Sequence, residues 1–158
     1  MKEQTARDIM SSPAVTVNRT ATLEEAADKM LDREVGSLVV VEESGKAVGI
    51  VTDSDFAAKP AHIPFSTFRS RKLLGEWLGK QNAEEVYDEA RELSVEEVMS
   101  TPLHSVELGD AVDRILEIMF DRDVKHVPVL DEGGRPVGMV ARHDLLKMLA
   151  SSRGLMSR

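Results

Sequence analysis

The residues best suited to polar chemistry stand at the end of an apolar run: Gly49-Ile50-Val51-Thr52-Asp53-Ser54-Asp55. A hydroxyl three residues before a carboxylate, at the start of a predicted helix, fits a capping box, which satisfies free helix N–H groups internally. The same N–H groups and the positive end of the helix dipole also suit a phosphate. Both roles are open, and they can coexist. Asp53 and Asp55 do not make a metal pair, because side chains two apart on a helix diverge by about 200°. The four histidines, His62, His104, His126 and His143, show no H-x-x-x-H or H-E-x-x-H spacing. The chain has no P-loop, no G-x-G-x-x-G and no G-x-S-x-G. It has no cysteine, which excludes thiolate nucleophiles, disulfides and Cys-ligated metals. These residues point to binding without catalysis and without a metal.

The elements that must position them occur twice. Shifting the sequence so that Met10 falls on Met99 also brings Pro13 onto Pro102, Asp32-Arg33 onto Asp121-Arg122, Gly49 onto Gly138 and Asp55 onto Asp144. The register holds without a gap from residue 9 to 56, with roughly a third of positions identical, the mark of an internal duplication.

Within one repeat, Ser12-Pro13 opens an extended stretch, Ala14 to Val17. Thr20 or Thr22 caps a helix with Glu24 and Glu25 in its first turn. Leu23, Ala26, Ala27, Met30 and Leu31 line one face of that helix, as do Val112, Ile115, Leu116, Met119 and Phe120 in the second copy. Leu38 to Val41, too short for a helix and rich in β-branched residues, is a buried strand. A turn containing Gly45 leads to the returning strand, Ala47 to Val51. The second copy has Val127 to Leu130, a Gly133-Gly134 turn, and Val137 to Val140. A last helix covers Asp53 to Ala58, or His143 to Ala150. Each unit is β-α-β-β-α, too small to bury its own apolar faces. The fold class is therefore α/β (α+β): two repeats, residues 7–58 and 95–150, packed through their sheets with pseudo-two-fold symmetry.

With these elements in place, the pattern resembles the CBS-domain family, and specifically a CBS-domain pair (a Bateman module) standing alone as a small protein. Gly49-Ile50-Val51-Thr52-Asp53-Ser54-Asp55 matches that family's G-h-h-T/S-x-x-D signature, where h is apolar. Met10-Ser11-Ser12-Pro13 and Met99-Ser100-Thr101-Pro102 match its M-S/T-x-P segment, and Val124-Lys125-His126-Val127-Pro128-Val129 its second strand. The resemblance implies a non-catalytic regulatory module that binds AMP, ADP, ATP or S-adenosylmethionine in clefts between repeats, with no required cofactor.

It also implies that Asp55 and Asp144 accept hydrogen bonds from ribose hydroxyls and that Thr52 lies near phosphate. A carboxylate suits a cis-diol, since a charge-assisted hydrogen bond contributes roughly 1.5–3 kcal/mol. The second copy has Ala141 where Thr or Ser belongs, so the cleft with Thr52 and Asp55 is expected to bind better, unless Arg142 or His143 substitutes. By the same resemblance, Lys125 and His126 of one repeat face Thr52 and Asp55 of the other, while Gly36 and Ser37 bring no charge. Val15, Thr16, His104 and Ser105, at the leading strands, are candidates for an adenine slot. The alternative is a ligand-free scaffold whose clefts have decayed.

Residues 59–94 have no counterpart in the repeat and hold four of the six aromatics: Phe65, Phe68, Trp77 and Tyr87. A structureless link of that length is unusual, so a helical hairpin insert is expected. It either covers apolar surface or presents Phe65, Phe68 and Trp77 to a protein target. Residues 151–158 form a tail, and the whole is expected to be a homodimer. A net charge of −8 argues against nucleic acid or anionic membrane as a partner. Residues 1–10 have no apolar h-region, and no apolar run approaches the ~18 residues that cross a bilayer. The expected setting is cytoplasmic.

Overall fold

A computed structural model describes residues 3–56 and 90–155. The expected helical hairpin, with Phe65, Phe68, Trp77 and Tyr87, lies outside the described residues except at its end. The mixed α/β architecture is built twice. A short helix α1 (Ala6–Ile9) is followed by β1 (Thr16–Asn18), α2 (Leu23–Arg33), β2 (Ser37–Val41) and β3 (Ala47–Thr52), with a 3-10 turn at Asp53–Phe56. After a second 3-10 turn at Val95–Glu97 come β4 (Val106–Glu107), α3 (Val112–Arg122), β5 (His126–Leu130), β6 (Pro136–Ala141) and α4 (Arg142–Leu155). Each copy forms a three-stranded sheet, in the orders β1-β2-β3 and β4-β5-β6. The first strand of each is parallel to the second, pairing Thr16 with Val39 and Val106 with Val129.

Local sequence explains most of these boundaries. Thr22, and not Thr20, caps α2: its hydroxyl accepts from the Glu25 N–H at 3.2 Å while the Glu25 carboxylate accepts from the Thr22 N–H at 2.8 Å. Thr20 instead bonds Asn18 Oδ1 through both N–H and hydroxyl. Both long helices end on a left-handed residue, Glu34 (φ 53°) and Asp123 (φ 50°), at equivalent repeat positions. The hairpin turns reverse at Gly45 and Gly134, whose positive φ values of 87° and 77° favour glycine.

The buried helix faces are narrower than their apolar patterns. Leu23, Ala26 and Met30 are buried on α2, and Val112, Ile115 and Met119 on α3. Leu31 and Phe120, expected on the same faces, are 77% and 88% exposed. A stripe at i, i+3, i+4 and i+7 spans only part of the helix circumference, and these two residues fall on its rim. Among the described residues, β3 leads into the 3-10 turn Asp53–Phe56, and β6 leads into α4, which runs to Leu155.

The compact units are not continuous in sequence. One combines the described residues up to Ala14 and the turn Gly45–Ala47 with the residues from Leu103 onward; the other combines Val15–Ser44 with the described residues from Val48 to Pro102. Each leading segment therefore joins the sheet of the other repeat. Ser11 and Met139 exchange two backbone hydrogen bonds, at 2.9 and 3.0 Å, and Ser100 and Ile50 do the same at 2.9 and 3.3 Å. Ala6 enters the core of Val106, Ile115, Val127, Val129 and Val140. Leu93, Val95 and Val98 enter that of Val17, Leu38, Val40 and Val51.

Glycine makes this docking possible. A Cβ on Gly49 would lie 2.6 Å from Met99 Sδ and 3.1 Å from the Ser100 carbonyl, and one on Gly138 would meet Met10 and Ser11 in the same way. The short segments are fixed by their own capping boxes, Thr5 with Asp8 and Ser94 with Glu97. Among the described residues, no helix is long and apolar enough to cross a membrane.

Candidate functional site

The strand register gathers the predicted residues at one end of each sheet. Because β1 runs parallel to β2, the starts of both strands lie at the same edge. The end of β3 returns to that edge, where the Asp53 N–H donates to the Gly36 carbonyl at 2.9 Å. Val15, Thr16, Ser37, Thr52 and Asp55 thus belong to one edge of the β1-β2-β3 unit. The β4-β5-β6 unit repeats the arrangement. His126 pairs with Ala141, and the Arg142 N–H donates to the Lys125 carbonyl at 3.1 Å. That edge carries His104, Ser105, Lys125, His126 and Asp144.

Within their own compact unit, Lys125 and His126 flank the Ala141–Asp144 turn. The reason is topological: a β-hairpin brings the start of its first strand against the end of its second, whatever the charges there.

Both signature aspartates act as helix-start caps. Asp55 Oδ2 accepts from the Thr52 N–H at 2.8 Å, and Asp144 Oδ2 from the Ala141 N–H at 2.8 Å. The Thr52 hydroxyl lies 2.7 Å from that of Ser54, so it is tied into its own turn. Burial pushes the Asp55 carboxyl above the ordinary aspartate value, while backbone and side-chain hydrogen bonds from Thr52 pull it down and the charge of Asp53 pushes it up. Asp144 has a further partner in Lys147, whose Nζ lies 3.9 Å from Oδ1. Ser37 is buried, and the two leading strands are half-buried beside these turns. A pair of fixed carboxylates at partly open sheet edges is suited to hold hydroxyl donors of a ligand.

Sequence reading missed the contribution of α1. An open groove of about 310 Å³ runs beside Asp144, lined by Gln4, Asp8, Ile9, Lys147, Met148 and Ser151. The groove touches only one of the predicted site residues, so the strand-end geometry defines the candidate site better. The signal for α1 was present: Thr5-x-x-Asp8 has the spacing of a capping box and aligns with Ser94-x-x-Glu97 in the second repeat. Among the described residues, no three His, Asp or Glu side chains are grouped to hold a metal ion.

A duplicated sheet-and-helix unit with a Thr/Ala-x-x-Asp turn at its edge defines a pair of CBS domains. The chain belongs to the CBS domain family, whose domain matches residues 6–61 and 95–151. An uncharacterized protein of Methanocaldococcus jannaschii is 30% identical over 150 residues, covering 95% of this chain and 33% of its own length. One from Methanopyrus kandleri is 26% identical over 148 residues, covering 94% of this chain and 64% of its own. The chain thus spans about a third to two-thirds of these relatives.

Among solved structures, the CBS domain of a CBS domain containing membrane protein from Sphaerobacter thermophilus is 33% identical, with a TM-score of 0.69 over 92% of this chain and 87% of that one. The CBS domain pair of protein MJ0100, solved with 5′-methylthioadenosine and S-adenosyl-L-methionine, has the same fold at 22% identity, with a TM-score of 0.69 over 96% of this chain and 99% of its own. CBSX2 in complex with AMP is 16% identical, with a TM-score of 0.67 over 94% of this chain and 98% of its own.

Proposed function

We propose that this chain is a non-catalytic regulatory module that binds an adenosine-type ligand, of the AMP, ADP, ATP or S-adenosylmethionine class, and passes its occupancy to a partner or a second copy of itself. The observation that carries the reading is the twice-built edge, in which a carboxylate held by a backbone N–H sits beside the starts of two parallel strands. In this reading Asp55 and Asp144 take the ribose hydroxyls. Val15, Thr16, His104 and Ser105 flank the base, and Ser37, Thr52, Lys125 and His126 face the rest of the ligand. Proteins of the same fold that hold AMP, 5′-methylthioadenosine and S-adenosyl-L-methionine support it. The ligand acts by binding one arrangement of the module more tightly than another. The reading implies a cytoplasmic setting, a homodimer, and no turnover by the purified protein.

A second reading, a ligand-free interaction module, draws on one observation: each signature Asp already caps its own turn and needs no ligand for that role. Isothermal titration calorimetry with AMP, ADP, ATP and S-adenosylmethionine separates the two. Binding of at least one below millimolar concentration is expected. If none binds, the sensing reading fails and the scaffold reading stands.

A further inference from the structure

We infer that Met10 and Met99 are a pair of modification sites, thioethers that a peroxide converts reversibly to sulfoxides, and that each modification unlatches the leading segment of its repeat. Adenosine binding is not needed for this. The chain has eight methionines and no cysteine. No thiol is present to consume an oxidant first, so the thioethers are the softest nucleophiles the chain offers. Among the described methionines, Met30 and Met119 are buried, at 7% and 5% exposure, and out of an oxidant's direct reach. Met10, Met99, Met139 and Met148 are half-buried and reachable.

Met10 and Met99 differ from the other two in what they hold. Each opens the Met-Ser-Ser/Thr-Pro segment of its repeat, and each lays its sulfur on a glycine of the sheet to which that segment docks. Met99 Sδ is 2.6 Å from where a Gly49 Cβ would stand, and Met10 Sδ is nearer still to that of Gly138. Both side chains pack against a buried core, Met99 on that of Val51, Val95 and Val98, and Met10 on that of Ala6, Val129 and Val140. The seats also lie just before the chain passes from one compact unit to the other: Met10 precedes the passage at Ala14 and Val15, and Met99 the one at Pro102 and Leu103.

The reaction is a two-electron oxygen transfer. The sulfur lone pair attacks hydrogen peroxide, the O–O bond breaks and an S–O bond forms; the sulfur is oxidised and the peroxide is reduced to water. The product is polar and larger. On the glycine side there is no room for the new oxygen, since even a Cβ would not fit there. Kept in its seat, the sulfoxide sets a hydrogen-bond acceptor against apolar packing, which costs stability. Turned out to water, it escapes that cost but empties the seat on glycine. Either course weakens the hold on the segment, which then rests on the Ser11–Met139 or Ser100–Ile50 backbone pair and on its capping box. A methionine sulfoxide reductase reverses the step, releasing the oxygen as water while two thiols become a disulfide.

The test treats the full chain with hydrogen peroxide and follows it by peptide mass spectrometry, amide hydrogen exchange and urea unfolding. Met10 and Met99 are expected to oxidise in the folded chain before Met30 and Met119. Exchange of the Ser11, Ile50, Ser100 and Met139 amides should quicken, and the unfolding constant should rise about tenfold. Methionine sulfoxide reductase with dithiothreitol should restore both. Met10→Leu with Met99→Leu should keep its stability through the peroxide treatment, Leu being close to Met in volume. If that variant does not fold, Met139→Leu with Met148→Leu serves, since neither residue supplies a seat: it should lose as much as the wild type. Resistance of Met10 and Met99 in the folded chain, or their oxidation without loss, overturns the inference. So does a loss that survives in the Met10→Leu, Met99→Leu variant or vanishes in the Met139→Leu, Met148→Leu variant.

Discussion

Adding one methyl group at residue 138 is expected to disturb a contact made by a side chain far away in sequence. In Gly138→Ala the new Cβ meets Met10 Cγ and the Ser11 carbonyl oxygen, each at 3.0 Å, as well as Met10 Sδ. The Met10 side chain can yield by changing rotamer. The Ser11 carbonyl cannot yield as easily, because it accepts the Met139 N–H at 3.0 Å while the Ser11 N–H donates to Met139 O at 2.9 Å.

Overpacking of this kind costs about 1–3 kcal/mol, and each strained backbone hydrogen bond adds about 1 kcal/mol. A total near 2–4 kcal/mol corresponds to roughly 4–16 °C in melting temperature for a chain of this size. Urea unfolding of the wild type, Gly138→Ala, Met10→Ala and the double variant measures it. Met10→Ala removes the softer half of the clash, so the double variant is expected to be more stable than additivity predicts, by about 1 kcal/mol. A loss below about 0.5 kcal/mol for Gly138→Ala, or strict additivity with Met10→Ala, would refute the seating of Met10 on the β6 strand.

Further outcomes follow from the same structure. The Asp55 carboxyl is raised above 3.8, chiefly by burial, so binding that depends on its ionised form is lost as pH falls through a value higher than that of an ordinary aspartate. The linked stability runs the other way: the folded chain holds this proton more tightly, so the contribution is present below 3.8 and lost as pH rises through the raised value. Asp55→Asn should abolish both dependences, as read by calorimetry and by urea melts across pH 3 to 7, taken here as roughly the range in which carboxylates titrate.

Thr22→Ala removes the cap of α2 and should cost about 1 kcal/mol, while Ala111→Ser at the uncapped start of α3 should gain about 0.5–1 kcal/mol, both by chemical denaturation. Ile115→Ala, in the core, should lose about 2–5 kcal/mol, whereas Phe120→Lys, one turn on and exposed, should change stability by less than about 0.5 kcal/mol. A large loss at Phe120 would show that the buried face of α3 is wider than described.

The amino-acid sequence by itself determined the duplication, the α/β class, the order of elements within each repeat and the positions of Thr52, Asp55 and Asp144. These rest on relations between residues close in sequence. A hydroxyl and a carboxylate three apart make a cap, apolar residues at helical spacing make a face, and a glycine turn between two β-rich runs makes a hairpin. The same locality made Phe120 look buried, because periodicity defines a face but not how much of its rim the sheet covers.

Only the tertiary structure decided which sheet receives each leading segment. The reason is the duplication itself. Met10 and Met99 are chemically identical, as are Gly49 and Gly138, so the local sequence is satisfied equally by seating Met10 on Gly49 or on Gly138. The choice belongs to the packing of the whole chain, where Ala6 fills one core and Val95 the other.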